Sequence, residues 1–370
     1  MNIAITGADG FIGRNLCLHL QELGHRDIAC ITRDTPWSEV EARLSETDFV
    51  FHLAGVNRPQ DASEFAAGNA GLTRRLCSIL SAAGRKATLV LSSSTQAGLA
   101  NPYGESKAAA EQAVIGYAEE TGAAVHIFRL PNVFGKWAKP NYNSAVATFC
   151  YNIARGLPIT VNDPAAALQL VYVDDVVGAL AGLLAGADPA MSFMEVEPVY
   201  QTTVGELAEM LAEFAKSRQS LKLPAVGTGF GRALYSTYVS YLPPRDFSYD
   251  VPAHGDARGV FVEMLKTADS GQFSYFTAKQ GVTRGDHYHH TKTEKFLVLQ
   301  GVARFAFRNV ATGETCELVT RGGEDRIVDT IPGWAHNITN IGESELLVML
   351  WANEIFDPQR PDTIGMKVDV

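Results

Sequence analysis

Thr6-Gly7-Ala8-Asp9-Gly10-Phe11-Ile12-Gly13 follows the apolar run Ile3–Thr6 and opens a helical pattern over Ile12–Leu23. Glycines three apart let the backbone turn tightly after a strand, approach an anion and pack the next helix close. The helix N-terminus then presents free N–H groups and the positive end of its dipole to that anion. With 33 glycines in 370 residues the trio means little alone; its place between strand and helix makes it informative. Gly7, Gly10, Phe11, Ile12 and Gly13 are therefore expected to cradle the pyrophosphate of a dinucleotide. Outward from this turn, short apolar runs alternate with helical ones. Ile28–Thr32, Phe49–Leu53, Leu89–Ser92 and Val125–Leu130 read as strands, and Leu72–Ala83 and Asp174–Ala185 as helices. Such alternation predicts an α/β, Rossmann-type doubly wound parallel sheet.

The end of the second strand selects the cofactor. An acidic residue there binds ribose hydroxyls, whereas this strand ends in Thr32-Arg33. A guanidinium suits a 2′-phosphate, so Arg33 predicts NADPH; Asp34, one residue on, is the competing choice for NADH. The pattern changes near residue 243. Pro243-Pro244 stops any helix, and short strand-like runs follow at Val260–Leu265, Phe273–Thr277, Phe296–Leu299, Ala303–Phe307, Cys316–Val319, Arg326–Ile331 and Leu346–Trp351. Glycines separate them, as in an all-β sandwich or barrel. The expected domains are 1–243 and 244–370.

A formal net charge of −10 argues against nucleic acid and against anionic membrane surfaces as partners. No run of about 18 apolar residues occurs, so membrane insertion is not expected. Met1-Asn2-Ile3 enters the first strand without a basic leader. Cys17, Cys30, Cys77, Cys150 and Cys316 are odd in number and widely spaced, which fits buried free thiols in a reducing cytoplasm.

Two constellations carry chemistry. Asn101-Pro102 reads as an N-cap and first helical residue, so Tyr103 and Lys107 lie one turn apart on one face of a helix. An ammonium beside a phenol lowers its pKa and readies it for proton transfer. Ser92-Ser93-Ser94-Thr95 ends the preceding strand, and Ser94, with Thr95 second, is the hydroxyl expected to hold a substrate oxygen. In the second half, His287-Tyr288-His289 precedes Glu294. Histidines two apart in a strand face one way, and two imidazoles with a carboxylate suit a borderline divalent metal. Gly281, the two histidines, Glu294 and Gly301 together resemble the first cupin motif, and Pro332-Gly333-Trp334-Ala335-His336 with Asn340 resembles the second, which adds His336 as fourth ligand. Zinc is the expected metal, though the donor set also admits Mn, Fe or Ni.

TGADGFIG, HLAG at 52–55, SSS at 92–94, PYGESK at 102–107, RLPNVFG at 129–135 and VYVDDV at 171–176 resemble the extended short-chain dehydrogenase/reductases of nucleotide sugars. That resemblance implies Ala54, Gly55 and Pro131 near the cofactor and Asn132 near the sugar nucleotide. Asp256–Glu263 resembles the start of nucleotide-sugar epimerase cupins. The whole chain resembles the CapF family of capsular and O-antigen polysaccharide synthesis. This implies a UDP-linked 4-keto-6-deoxy amino sugar as substrate, epimerised at C3 by the cupin and reduced at C4 by NADPH to UDP-2-acetamido-2,6-dideoxy-L-talose. Extended reductases and cupins commonly pair, which implies a homodimer. Two rival readings stay open: a cupin that only binds a ligand or assembles the dimer, and a dehydratase or epimerase that recycles its NADP.

Overall fold

Six short strands of the first half pair side by side, all parallel, in the order Ile28–Ile31, Ile3–Thr6, Phe49–His52, Thr88–Ser94, Val125–Leu130, Ser192–Met194. This is a computed structural model, which describes residues 1–59, 61, 63–186, 191–256, 259–262, 265–267, 271–354 and 358–368. Ile3, Ile5, Val50, Phe51, Leu89 and Val90 are buried on both sheet faces, which a parallel sheet covered by crossover helices requires. The helix Pro102–Thr121 starts where its sequence signals say. The Asn101 side chain accepts from the Gly104 N–H at 2.8 Å, Pro102 occupies the first turn, and Gly122 ends the helix at φ +69. Its Ala110, Val114 and Tyr117 join Leu76, Leu80, Leu89 and Leu91 in one core cluster. A short π-helical turn, Ala66–Gly71, leads into the helix Leu72–Ala83.

The β-rich half forms two antiparallel five-stranded sheets, as a jelly roll requires. One runs Ser248–Asp250, Arg326–Asp329, Glu294–Gln300, Leu346–Ala352, Gln272–Ala278; the other runs Thr315–Arg321, Val302–Asn309, Trp334–Asn340, Thr283–Tyr288, Ile364–Gly365. Aromatic rings fill the space between them: Phe296 meets Phe305 at 5.7 Å, and Phe247 meets Trp334 at 5.0 Å.

Packing gathers the chain into two compact units, residues 1–134, 141–144 and 168–202 in one, and 135–140, 145–167 and 203–370 in the other. The helices Ala145–Ile153, Val204–Ser220 and Gly229–Ser240 thus pack with the β-sandwich. Their side chains explain why. Ser236 donates to the Thr291 carbonyl at 2.7 Å, and Arg232 pairs with Glu354 at 3.0 Å. Arg218 reaches Asp329 at 3.4 Å, and the other Asp329 oxygen takes the Lys295 ammonium at 2.6 Å. Burial opposes the Lys295 charge, and Asp329 with the phenols of Tyr235 and Tyr249 outweighs it.

Cys77 and Cys150 are buried, as expected, but Cys30 is exposed and Cys17 and Cys316 are half-buried; all five are free. Among the described residues no helix is long and apolar enough to cross a membrane. Of the run Asp256–Glu263, residues Ala257, Arg258 and Glu263 lie outside those described. The buried Lys295–Asp329 pair yields a prediction. Asp329→Ala strands a buried ammonium and should cost about 3–5 kcal/mol, read as a lower urea midpoint in chelator-treated protein; an unchanged midpoint would contradict it.

Candidate functional site

The glycine turn sits where the sequence puts it. Gly7 has φ +69, and a Cβ there would lie 2.9 Å from the Ala54 backbone; a Cβ on Gly13 would lie 2.1 Å from the Gly7 carbonyl. Only glycine allows this approach. The helix Phe11–Glu22 begins at Gly10 without a side-chain cap and without an acidic residue in its first turn. No acidic side chain of that first turn opposes its positive end, which fits a pyrophosphate beside Gly10, Phe11 and Ile12. Ala54 donates its N–H to Thr6 Oγ1 at 3.3 Å, and a Cβ on Gly55 would stand 3.4 Å from the Lys107 ammonium. Arg33 and Asp34 are both exposed beyond the strand Ile28–Ile31. Pro131 is half-buried after the strand Val125–Leu130, and Asn132 is exposed next to it. These positions all lie at or just past the C-terminal ends of parallel strands, where ligands of such sheets bind.

Ser94 is the last residue of the strand Thr88–Ser94 and hydrogen-bonds the Tyr103 phenol. Thr95 instead turns away into an exposed 3-10 turn. The Tyr103 ring rests on Phe65 at 5.5 Å, and the Lys107 ammonium stands 5.9 Å from its centroid while donating to the Ser92 carbonyl at 2.9 Å. The lowered phenol expected from the sequence is not found: burial pushes Tyr103 up, and the Ser94 hydrogen bond opposes that. Lys107 is itself lowered to about 8 by burial, with the Glu111 carboxylate working the other way.

Sequence reading missed the framework behind this face. Asn69, in the π-helical turn, accepts from the Val56 N–H at 2.8 Å and donates to the Val56 carbonyl and the Ser106 hydroxyl, both at 2.9 Å. His52, lowered to about 3 by burial, links Thr6 at 2.7 Å to Thr73 at 2.9 Å. Glu111 accepts from Ser93 and from both Arg129 donors. The spacing Tyr103, Lys107, Glu111 carried the signal for that last residue.

In the other unit, one donor atom each from His287, His289, Glu294 and His336 lie within 4.8 Å of one another. Glu294 Oε2 is 3.3 Å from His289 Nε2 and 3.6 Å from His336 Nε2, and Lys292 pairs with Glu294 Oε1 at 2.8 Å. His287 and His289 do not share the one regular strand that period two leads one to expect. A bulge lies between Gly285 and His287, and the strand Thr283–Tyr288 stops before His289, which a loop presents. Burial, with His336 and His289 nearby, lowers His287 to about 4, and burial lowers His336 as well. Burial alone would raise Glu294, but the imidazoles hold it well below the usual carboxylate range. Among the described residues neither ring nitrogen of His336 has a hydrogen-bond partner. Three imidazoles around a buried carboxylate, two of them lowered by burial, fit a divalent cation.

Two family models match the chain: the NAD dependent epimerase/dehydratase family over residues 3–191 and the polysaccharide biosynthesis C-terminal domain over residues 254–364. A UDP-2-acetamido-2,6-beta-L-arabino-hexul-4-ose reductase from Pseudomonas aeruginosa is 55% identical over 100% of this chain and 99% of its own. The crystal structure of the capsular polysaccharide assembling protein CapF from Staphylococcus aureus matches with 44% identity and a TM-score of 0.68, covering 100% of both chains. A UDP-glucose 4-epimerase from Thermotoga maritima, 23% identical, covers 58% of this chain and 82% of its own at a TM-score of 0.52, a likeness of fold alone. The chain belongs to the NAD dependent epimerase/dehydratase family, among its CapF-type members that carry a polysaccharide biosynthesis C-terminal domain.

Proposed function

We propose that the chain is a bifunctional nucleotide-sugar enzyme acting on a UDP-2-acetamido-2,6-dideoxy-4-hexulose. Residues 1–243 reduce the C4 ketone and residues 244–370 epimerise C3. The product is UDP-2-acetamido-2,6-dideoxy-L-talose, a precursor of UDP-N-acetyl-L-fucosamine for capsule or O-antigen. The observation that carries the reductase half is the bonded Ser94–Tyr103 hydroxyl pair beside Lys107, at the same sheet edge as the glycine turn. The name of the Pseudomonas relative supports the substrate. A homodimer in the cytoplasm completes the reading.

Gly7, Gly10, Phe11, Ile12 and Gly13 hold the pyrophosphate of NADPH, Arg33 pairs with its 2′-phosphate, and Ala54, Gly55 and Pro131 line its course. Bound there, NADPH supplies the hydride for C4. Ser94 donates to the ketone oxygen, and Tyr103 delivers a proton to it as the oxygen gains charge. Lys107 steadies the phenolate that remains, and Asn132 contacts the sugar nucleotide. His287, His289, Glu294 and His336 hold one divalent ion, zinc on this reading. It would supply positive charge to stabilise the oxyanion formed next to the exchanged carbon. The C4 ketone acidifies the C3–H, so loss and return of that proton inverts C3.

The test of the reductase half is oxidation of NADPH by the 4-keto sugar nucleotide, with the product identified by NMR. Wild type should consume NADPH stoichiometrically and prefer it to NADH, and Tyr103→Phe should lose about 100-fold or more in kcat. A wild type that turns the sugar over with no net NADPH change is a cofactor-recycling enzyme instead. The pH profile is a second check. Lys107 sheds its proton near 8, whereas burial keeps Tyr103 protonated to higher pH. Accordingly kcat/KM for reduction should fall as pH rises through about 8, and a flat profile to pH 9.5 would contradict the role given to Lys107. Light scattering at micromolar concentration should return twice the chain mass; a single monomeric mass would remove the dimer from the reading.

A further inference from the structure

The strand Thr283–Tyr288 ends one residue before His289, and the next strand begins at Glu294. His289 and the residues that lead to Glu294 are therefore outside the sheet ladders, and other groups must hold them. The Gly333 N–H donates to the His289 carbonyl at 2.9 Å. The Asn353 side chain accepts from the Thr293 N–H at 2.9 Å, and Ser236 donates to the Thr291 carbonyl at 2.7 Å. The densest set of bonds comes from Asp362.

The Asp362 carboxylate accepts three consecutive backbone N–H groups, from His290 at 2.9 Å, Thr291 at 2.6 Å and Lys292 at 2.7 Å, and the Thr291 hydroxyl at 3.0 Å. An ionised carboxylate in such a nest makes charge-assisted bonds, roughly twice as strong as neutral ones. Burial opposes the charge, but His290 and these N–H groups hold the Asp362 carboxyl below the usual range. The Asp362 backbone carbonyl takes a hydrogen bond from His289 Nδ1. A carbonyl only accepts, so Nδ1 carries a proton, and Nε2, 3.3 Å from Glu294 Oε2, is the nitrogen that faces the other ligands. The chain beyond continues along the other histidine. Ile364 and Gly365 pair with Tyr288 and His287, and the Met366 N–H donates to the Asp286 carbonyl at 2.8 Å.

We propose that Asp362 is a positioning residue of the metal centre, its carboxylate fixing the turn 290–292 and its carbonyl fixing the tautomer and direction of His289. This rests on the reading that His287, His289, Glu294 and His336 bind a divalent metal. Groups that orient a metal-ligating imidazole typically change metal affinity 10–100-fold when lost, and that is the effect assigned to this carboxylate.

The test titrates Zn2+ into full-length wild type, Asp362→Ala and Asp362→Asn in competition with a chromophoric chelator. A parallel series records the visible spectrum with Co2+, whose bands report ligand geometry. Both variants should bind Zn2+ about 10–100-fold more weakly and show shifted Co2+ bands, while NADPH binding and circular dichroism stay as in wild type. Asp362→Asn keeps the side-chain volume and serves as the readout if Asp362→Ala does not fold. Folded variants with wild-type Zn2+ affinity and wild-type Co2+ bands would overturn the assignment and leave the metal site standing. A wild type that takes up neither metal would overturn both.

Discussion

A carboxylate buried inside a β-sandwich stays ionised only if positive charge or N–H donors surround it. Glu294 is 6% exposed and meets that condition through Lys292, 2.8 Å from Oε1, and through the imidazoles of His289 and His336 beside Oε2. His287 and His336 crowd the same point, and burial with like charge nearby lowers both. Such a cluster is poorly compensated as bare side chains and well compensated around a divalent cation. The strands on either side, the bulge after Gly285 and the loop at His289 can all be read as the means of bringing those four donors together.

The Ser94–Tyr103–Lys107 cluster solves the opposite problem. Its buried ion is a cation, Lys107, held by the Ser92 carbonyl and by Glu111 one helical turn on. Glu111 is in turn held by Ser93 and Arg129. The chain of charge therefore runs from the strand that ends in Ser94, through the Tyr103 helix, to the neighbouring strand. Each site thus depends on one buried ion whose partners come from several elements, and this explains why both are tied to sheet edges and strand ends, where polar groups converge.

Much of this was legible in the sequence because it was written in short, local patterns. The glycine turn, the Asn101 cap, the Tyr103–Lys107 spacing and the histidine motif each depend on residues within about a dozen positions. The parallel sheet followed from alternation alone. What escaped depended on distance in sequence. Asp362 lies 73 residues from His289, and nothing near either residue announces the pairing. The helices Val204–Ser220 and Gly229–Ser240 read as part of the reductase half by order along the chain, yet Arg218, Arg232 and Ser236 tie them to the β-sandwich. The strand expected to carry both histidines failed for a local reason: Asp286 takes φ +57 at the bulge, which period-two alternation does not foresee.

Under the proposed function two independent chemistries share one chain. This is tested most directly by incubating the 4-keto sugar nucleotide in deuterated water without NADPH and reading deuterium at C3 by NMR. C3 labelling should be equal in wild type and Tyr103→Phe, and none above buffer should appear with folded His287→Ala. No labelling by folded wild type would contradict it and reduce the cupin to a binding or assembly module.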